Sequence, residues 1–214
     1  MKVLEDIIAT ETGNDYIHYE IKKAAPIAQT KKYVGVGVSI LGKIKNVEIM
    51  FNIEFGFGDV IVPRQDRRQI PTQLNNFVSP TINTYSIETT IAEKLDAILS
   101  LMELSSRMKD YYDIYYLARK YDLDGYILCE ALRKTFSNRG HRFTIEQFEE
   151  ITKYNLNKTM LTRWKAFIIK TEIDVSDISI VTNVLSTFLY EVFKAVISNT
   201  IFNKQWKSNE NKWV

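Results

Sequence analysis

Asp110 and Asp113 are the acidic residues whose spacing says most about chemistry. They lie three positions apart in residues 105–119, SSRMKDYYDIYYLAR, where apolar side chains recur at helical spacing. At about 100° per residue, both carboxylates fall among the apolar positions of Ile114 and Leu117 and not on a separate polar face. A carboxylate buried there is costly unless it is paired with a cation or bound to a metal. The pair therefore predicts either a structural ion pair or part of a functional site.

Lys94 is the basic residue that could meet these carboxylates or a bound triphosphate. It lies on the preceding predicted helix, at the border of the apolar stripe that contains Ile91 and Leu95. From that border its amine could reach into a cleft and neutralise phosphate charge. The simpler alternative is a lysine that lies along the helix edge with its amine in water. Arg107 and Lys109 are further candidates, either for phosphate or for ion pairs with the two aspartates.

Glu54 is the candidate metal ligand of the first half of the chain. It lies on the polar face of the most regular predicted strand, residues 47–55, and the glycines Gly56 and Gly58 follow it. A carboxylate on an open sheet face can hold Mg²⁺ beside a phosphate, because Mg²⁺ prefers a few carboxylates together with substrate oxygens. A glutamate that merely faces solvent is the simpler interpretation of the same pattern.

Two other groups of charged residues are weaker candidates. Arg64, Arg67 and Arg68 could hold the phosphate of a nucleotide or of RNA, and a solvated loop is the alternative. Asp122 and Asp124 form a D-x-D pattern that metal sites also use. Because Asp124 is well placed to cap the next helix, the pattern favours a structural role.

The composition is that of a soluble globular protein. The chain has 214 residues, of which 45% are hydrophobic and 25% charged. A formal net charge of +2 gives no general electrostatic case for nucleic-acid binding but is compatible with a local basic patch. One cysteine and two isolated histidines exclude an internal disulfide and a cysteine-based zinc site.

Membrane insertion is not expected from the sequence. The first ten residues carry acids within their apolar run, which argues against a signal peptide. Residues 178–202 are the most apolar long segment, but they include Glu191 and Lys194 and so predict a core helix. A cytoplasmic protein of bacterial type is the expectation.

Strands are predicted in the first half and helices in the second. The predicted strands are residues 16–24, 33–41 and 47–55, and the last should pack Ile49, Phe51, Ile53 and Phe55 on one face. A polar connection is predicted over residues 63–80.

The predicted helices are marked by their first residues. They are residues 87–102 capped by Ser86, the aspartate helix capped by Ser105 or Ser106, residues 125–136 capped by Asp124, a short helix opened by Thr144 with Gln147, residues 157–170, and residues 178–202. The tail, residues 203–214, is polar and is predicted to fray.

Three motifs in this order resemble the AbiEii/AbiGii toxin family of nucleotidyltransferases. They are GFGDVIVP at residues 56–63, SIETTIAEKLDAI at 86–98 and SRMKDYYDIYYLAR at 106–119. The resemblance covers roughly residues 16–136 and extends weakly to Trp164. It implies an α+β fold, in which a partial, polymerase-β-like nucleotidyltransferase domain with a mixed or antiparallel sheet occupies residues 1–85. A C-terminal helical bundle then occupies residues 86–214.

The resemblance also implies an activity and its residues. Glu54 corresponds to the third metal-site carboxylate, Lys94 to the lysine of the AEK motif, and Asp110 and Asp113 to the aspartates of KDxxD. The implied activity is Mg²⁺-dependent transfer of a nucleotide from an NTP to an acceptor, in some cases tRNA. The implied role is the toxin of a toxin–antitoxin or abortive-infection system, with an antitoxin encoded nearby.

One departure from the family pattern limits the expected activity. The family opens with a Gly-Ser turn and a D-x-D that supply two metal ligands, and no such motif precedes Tyr16. The nucleotidyltransferase domain is therefore expected to be N-terminally incomplete, with weak or absent activity by itself. Three hypotheses follow: an enzyme completed by a separate segment or subunit, a degenerate protein that binds nucleotide, RNA or protein, and a purely structural helical protein.

Overall fold

Two compact units make up the structure. A computed structural model describes residues 2–10, 16–27, 35–75, 77–104 and 106–214. The units are Met1–Asp59, which is built mainly of strands, and Val60–Val214, which is built mainly of helices. The predicted α+β class is confirmed. The units divide at Asp59, whereas the sequence placed a boundary after residue 85, and that functional division stays a prediction.

The first unit contains one helix and a three-stranded antiparallel sheet. Its elements are α1 (Lys2–Ile8), β1 (His18–Ile27), β2 (Gly35–Ile44) and β3 (Val47–Gly56), with the strands in the order β1-β2-β3. Leu4 of α1 packs against Val38 and Ile40 of β2 to form a small core. All three strands were predicted within a few residues, although residues 33–34 of the predicted second strand lie outside the described residues.

Only half of β3 has the packed face that its alternating pattern predicted. Ile53 and Phe55 are partly buried on the small core, whereas Ile49 and Phe51 are exposed. The reason is length. A seven-residue helix such as α1 is about 10 Å long, while a ten-residue strand is about 33 Å long. The helix therefore covers one end of the sheet only.

The second unit begins with a hairpin and continues as a helical bundle. The hairpin strands are β4 (Asp66–Gln69) and β5 (Thr81–Thr84), so the prediction of a plain polar connection over residues 63–80 was wrong for β4. The helices are α2 (Ile87–Leu101), α3 (Met108–Lys120), α4 (Gly125–Arg139), α5 (Ile145–Thr152), α6 (Lys158–Thr171) and α7 (Ile178–Ile197). A small antiparallel sheet is formed by β6 (Leu123–Asp124), β7 (Gln205–Lys207) and β8 (Lys212–Trp213).

Side-chain caps begin most of these helices, as predicted. Ser86 accepts a hydrogen bond from the backbone N–H of Thr89 at the start of α2, at 3.1 Å. Asp124 caps α4, and Thr144 and Gln147 bond reciprocally at the start of α5. Each cap satisfies a backbone N–H that the first helical turn leaves without a partner.

The predicted cap of α3 was wrong. Arg107 precedes this helix and makes no side-chain cap bond, and Ser106 contributes only its carbonyl oxygen, 3.0 Å from the backbone nitrogen of Met108. Ser105 lies outside the described residues. The start of α3 is therefore fixed by contacts other than a serine cap.

Helix α7 is the central helix of the bundle. It packs against α3, α4 and α5, and its residues Val181, Leu185 and Phe188 have no exposed surface. Among the described helices it is the one with the length and hydropathy of a membrane span, and its deeply buried face is typical of a core helix, as predicted. It ends at Ile197, five residues before the predicted end, and Asn199 beyond it has a φ of 52°.

The C-terminal tail is folded, so the prediction that it frays was wrong. Trp206 of β7 is fully buried, and its indole N–H donates to the carbonyl oxygen of Ala118 in α3 at 2.6 Å. Trp213 of β8 stacks on Phe188 and donates to the carbonyl oxygen of the same residue at 2.8 Å. Two tryptophans therefore anchor a segment that is polar in composition.

Candidate functional site

The polar side chains at the start of α2 hold the preceding GFGDVIVP segment against that helix. Thr89 accepts from the backbone N–H of Val62 at 2.8 Å and donates to the Val62 carbonyl oxygen at 3.1 Å. The hydroxyl of Ser86 donates to the same carbonyl oxygen. The end of the first motif and the beginning of the second are thus joined by side-chain bonds to one buried residue.

The second and third motifs meet at Lys94. Its amine lies 3.1 Å from Oδ1 of Asp110 and 2.5 Å from Oδ2 of Asp113, so helix α2 is bonded to helix α3. Arg107 donates from Nε to the second oxygen of Asp110, and Lys109 donates to Asp113 at 2.7 Å. These five residues form the Lys94 node. The ion pairs that the sequence left as one interpretation are present.

The Lys94 node combines a buried interior with exposed cations. The side chain of Asp110 is 4% exposed and that of Lys94 19%, while that of Lys109 is 72% exposed. Burial alone would raise the pKa of Asp113, but hydrogen bonds from Lys109 and Lys94 lower it below its usual value. Three basic and two acidic side chains give the node a formal charge of +1, and its exposed cations face solvent.

Glu54 belongs to the other unit. It is exposed on β3 opposite Gly37 of β2. Among the described residues, no group of three His, Cys, Asp or Glu side chains is placed to hold a metal ion. Since Asp110 and Asp113 are already bonded to cations, the described residues do not by themselves fit a Mg²⁺ site, and the metal role of Glu54 stays a prediction.

The two weaker candidate groups have different outcomes. Arg64 and Arg67 are exposed, and their side chains have no hydrogen-bond or ion-pair partner within the part of the chain that the structure describes. Arg68 is paired with Asp66 at 2.6 Å. The D-x-D is structural, as favoured: Asp124 caps α4, and the side chain of the first aspartate accepts from Ser208 and Lys207 of the C-terminal hairpin.

A second ion-pair cluster was missed by the sequence analysis. Asp96 of α2 is 1% exposed, and its oxygens lie 2.9 Å from Nη1 of Arg139 and 2.8 Å from Nδ1 of His141. Arg139 also pairs with Glu93. The signal was present, because Asp96 follows Ala92 by four positions on the buried stripe of α2. This cluster ties the end of α4 to the helix that carries Lys94.

Comparison with known protein families gives one match. The family model described as nucleotidyl transferase AbiEii toxin, type IV TA system, matches residues 1–196. Comparisons with curated proteins and with solved structures found no match. The matched range contains the whole Lys94 node and Glu54, and it ends before the C-terminal hairpin.

Proposed function

The chain belongs to the AbiEii family of nucleotidyltransferase toxins, and on that basis we propose that it binds an NTP at the Lys94 node and transfers nucleotide to an RNA acceptor such as tRNA. The observation that carries this proposal is the bonding of one lysine to both aspartates of the KDxxD motif. It brings the AEK and KDxxD motifs to one place and surrounds them with exposed cations.

The carboxylates of the node are proposed to position its cations. Asp110 and Asp113 each accept a hydrogen bond from the amine of Lys94 and hold it between them. The side chain of Lys109 is 72% exposed, so its amine can turn from Asp113 to incoming phosphate oxygens at little cost, whereas Arg107 also holds the buried Asp110. Phosphate oxygens suit these donors, because hydrogen bonds between charged partners are the stronger ones.

The proposed rate of nucleotide transfer is limited by the metal site. We propose that transfer depends on Mg²⁺, with Glu54 as one ligand, and that the chain alone is weakly active or inactive. Two observations support this. The carboxylates of the node already form salt bridges, and among the described residues no group of metal-ligating side chains surrounds Glu54. A cognate antitoxin and a cytoplasmic location are proposed from family membership.

A transfer assay tests this function. The purified chain is incubated with each radiolabelled NTP, Mg²⁺ and bulk tRNA, and label in the RNA is counted. We expect little or no label above background from the chain alone. Robust transfer that disappears in Glu54→Ala would contradict the proposed weakness, because one glutamate would then support a complete site.

A degenerate binding protein is the second candidate function. It is favoured by the ion pairs themselves, since a node fully satisfied by its own side chains is stable without substrate. The two candidates differ in one result. In the transfer assay the enzyme gives label in the RNA above background, however weak, whereas the degenerate protein binds nucleotide and transfers none.

A further inference from the structure

The hairpin of β4 and β5 carries a basic groove that the Lys94 node does not use. The groove has a volume of about 690 Å³, and its lining includes Pro63, Arg64, Gln65, Arg67 and Asn83. Arg67 and Asn83 are directly opposite each other in the β4–β5 ladder, so their side chains share one face. These five lining residues define the arginine groove.

The arginine groove holds cations that no described side chain neutralises. Arg64 and Arg67 are exposed and lack ion-pair partners within the described residues, while Asp66, which also lines the groove, is paired with Arg68. Residues 60–87 contain three arginines and one aspartate, a net charge of +2. The acids Asp59 and Glu88 flank this segment directly in the sequence, so the positive charge is local to the arginines of the groove.

An aromatic surface adjoins these cations. A neighbouring cavity of about 280 Å³ is lined by Tyr85 together with Gln65 and Asn83, which also line the arginine groove. The side chain of Tyr85 is 40% exposed. Guanidinium groups that meet phosphates, amides that meet base edges and an aromatic ring on which a base can stack are the combination that binds single-stranded nucleic acid.

The groove is also fixed relative to the proposed nucleotide site. Val62, which lies between the lining residues Ile61 and Pro63, is bonded to Thr89 of α2. Lys94 lies five residues further along the same helix, which is about 7.5 Å along its axis. The segment that lines the groove and the Lys94 node are therefore both attached to helix α2.

We propose that the arginine groove binds the backbone of single-stranded RNA, with Arg64 and Arg67 on phosphates and Tyr85 beneath a base. This inference rests on the proposed transfer to RNA and names the surface that would hold the acceptor. An open groove with separate guanidinium groups suits a chain of phosphates, because each guanidinium can contact a different phosphate. A free nucleotide carries its phosphates at one end only.

Fluorescence anisotropy with a short, unstructured, labelled RNA tests the groove. We expect Arg64→Ala/Arg67→Ala to raise the Kd for RNA at least tenfold and to reduce the slope of log K against log salt by about 1.4, because two phosphate contacts are lost. Tyr85→Ala should raise the Kd about tenfold, and Tyr85→Phe should restore it. The matched control is Arg142→Ala/Lys165→Ala, which removes two other exposed cations of the same unit that have no described partner.

Three outcomes would contradict RNA binding by the arginine groove. One is equal RNA affinity and equal salt slope in the double arginine variant and its matched control. Another is displacement of the RNA by ATP with unchanged RNA affinity in Tyr85→Ala, which would make the groove a nucleotide site. The third is a wild-type chain that binds Mg–ATP but no RNA. This result would contradict RNA binding in the groove and would leave nucleotide binding at the Lys94 node unaffected.

Discussion

Replacing Trp206 by alanine is expected to lower the free energy of unfolding of the helical unit by about 4 kcal/mol, the usual cost of removing a buried tryptophan. The indole has no exposed surface, contacts Phe188 and Trp213, and bonds to the carbonyl oxygen of Ala118. The variant therefore leaves a cavity and a carbonyl oxygen without its donor. Thermal unfolding followed by circular dichroism should show a Tm lower by roughly 12 °C.

Lys212→Ala is the control for this prediction. Lys212 lies in the neighbouring strand β8, its side chain is 57% exposed, and among the described residues it pairs only with Glu210. We expect its effect to stay within about 0.5 kcal/mol. Equal Tm values for Trp206→Ala and Lys212→Ala would mean that the C-terminal hairpin does not anchor α3, and would contradict a tail held in place by its tryptophans.

Replacing Lys94 by methionine is expected to cost about 3 kcal/mol of folding free energy, because it leaves the buried Asp110 with one cation and Asp113 with an exposed one. Urea unfolding should show a lower midpoint with an unchanged slope. The same variant should lose nucleotide binding, since the amine at the centre of the node is gone. Lys94→Arg keeps the charge and should lose less stability.

A triple variant at the centre of the node separates stability from function. Lys94→Met combined with Asp110→Asn and Asp113→Asn removes the cation and both of its partners, so no buried charge is left unpaired. Replacing a whole buried ion pair is often nearly neutral, and we expect most of the lost stability to return. Nucleotide binding should not return. If the triple variant bound ATP as the wild type does, the node would be structural only.

Local signals in the sequence were sufficient for most of the helices. Ser86, Asp124 and the pair Thr144 and Gln147 mark helix starts through bonds to nearby backbone groups, and such bonds depend only on neighbouring residues. The fraying tail was a wrong prediction for the opposite reason. Trp206 is bonded to Ala118, 88 residues away, and composition carries no information about such a partner.

The site was predictable in part. The helical angles of Asp110 and Asp113 placed both carboxylates beside the core and left Lys94 as a partner, and the structure brings these three residues together. The role of Asp96 was not predicted, because its partners Arg139 and His141 come from a distant segment. Its position on the buried stripe of α2 was the available signal. The metal role of Glu54 stays a prediction, because the described residues place no other carboxylates beside it to complete a metal site.

We infer that the Lys94 node binds triphosphate and does not serve only to join two helices. Its most direct test is the Kd for Mg–ATP, measured by calorimetry, in Lys109→Ala and in Lys153→Ala. Both lysines are exposed and form a salt bridge to an acid four residues away on their own segment, so both changes should leave stability almost unaltered. We predict that Lys109→Ala weakens ATP binding about tenfold, or about 1.4 kcal/mol, and that Lys153→Ala has no effect. Equal affinities in the two variants would contradict triphosphate binding at the node.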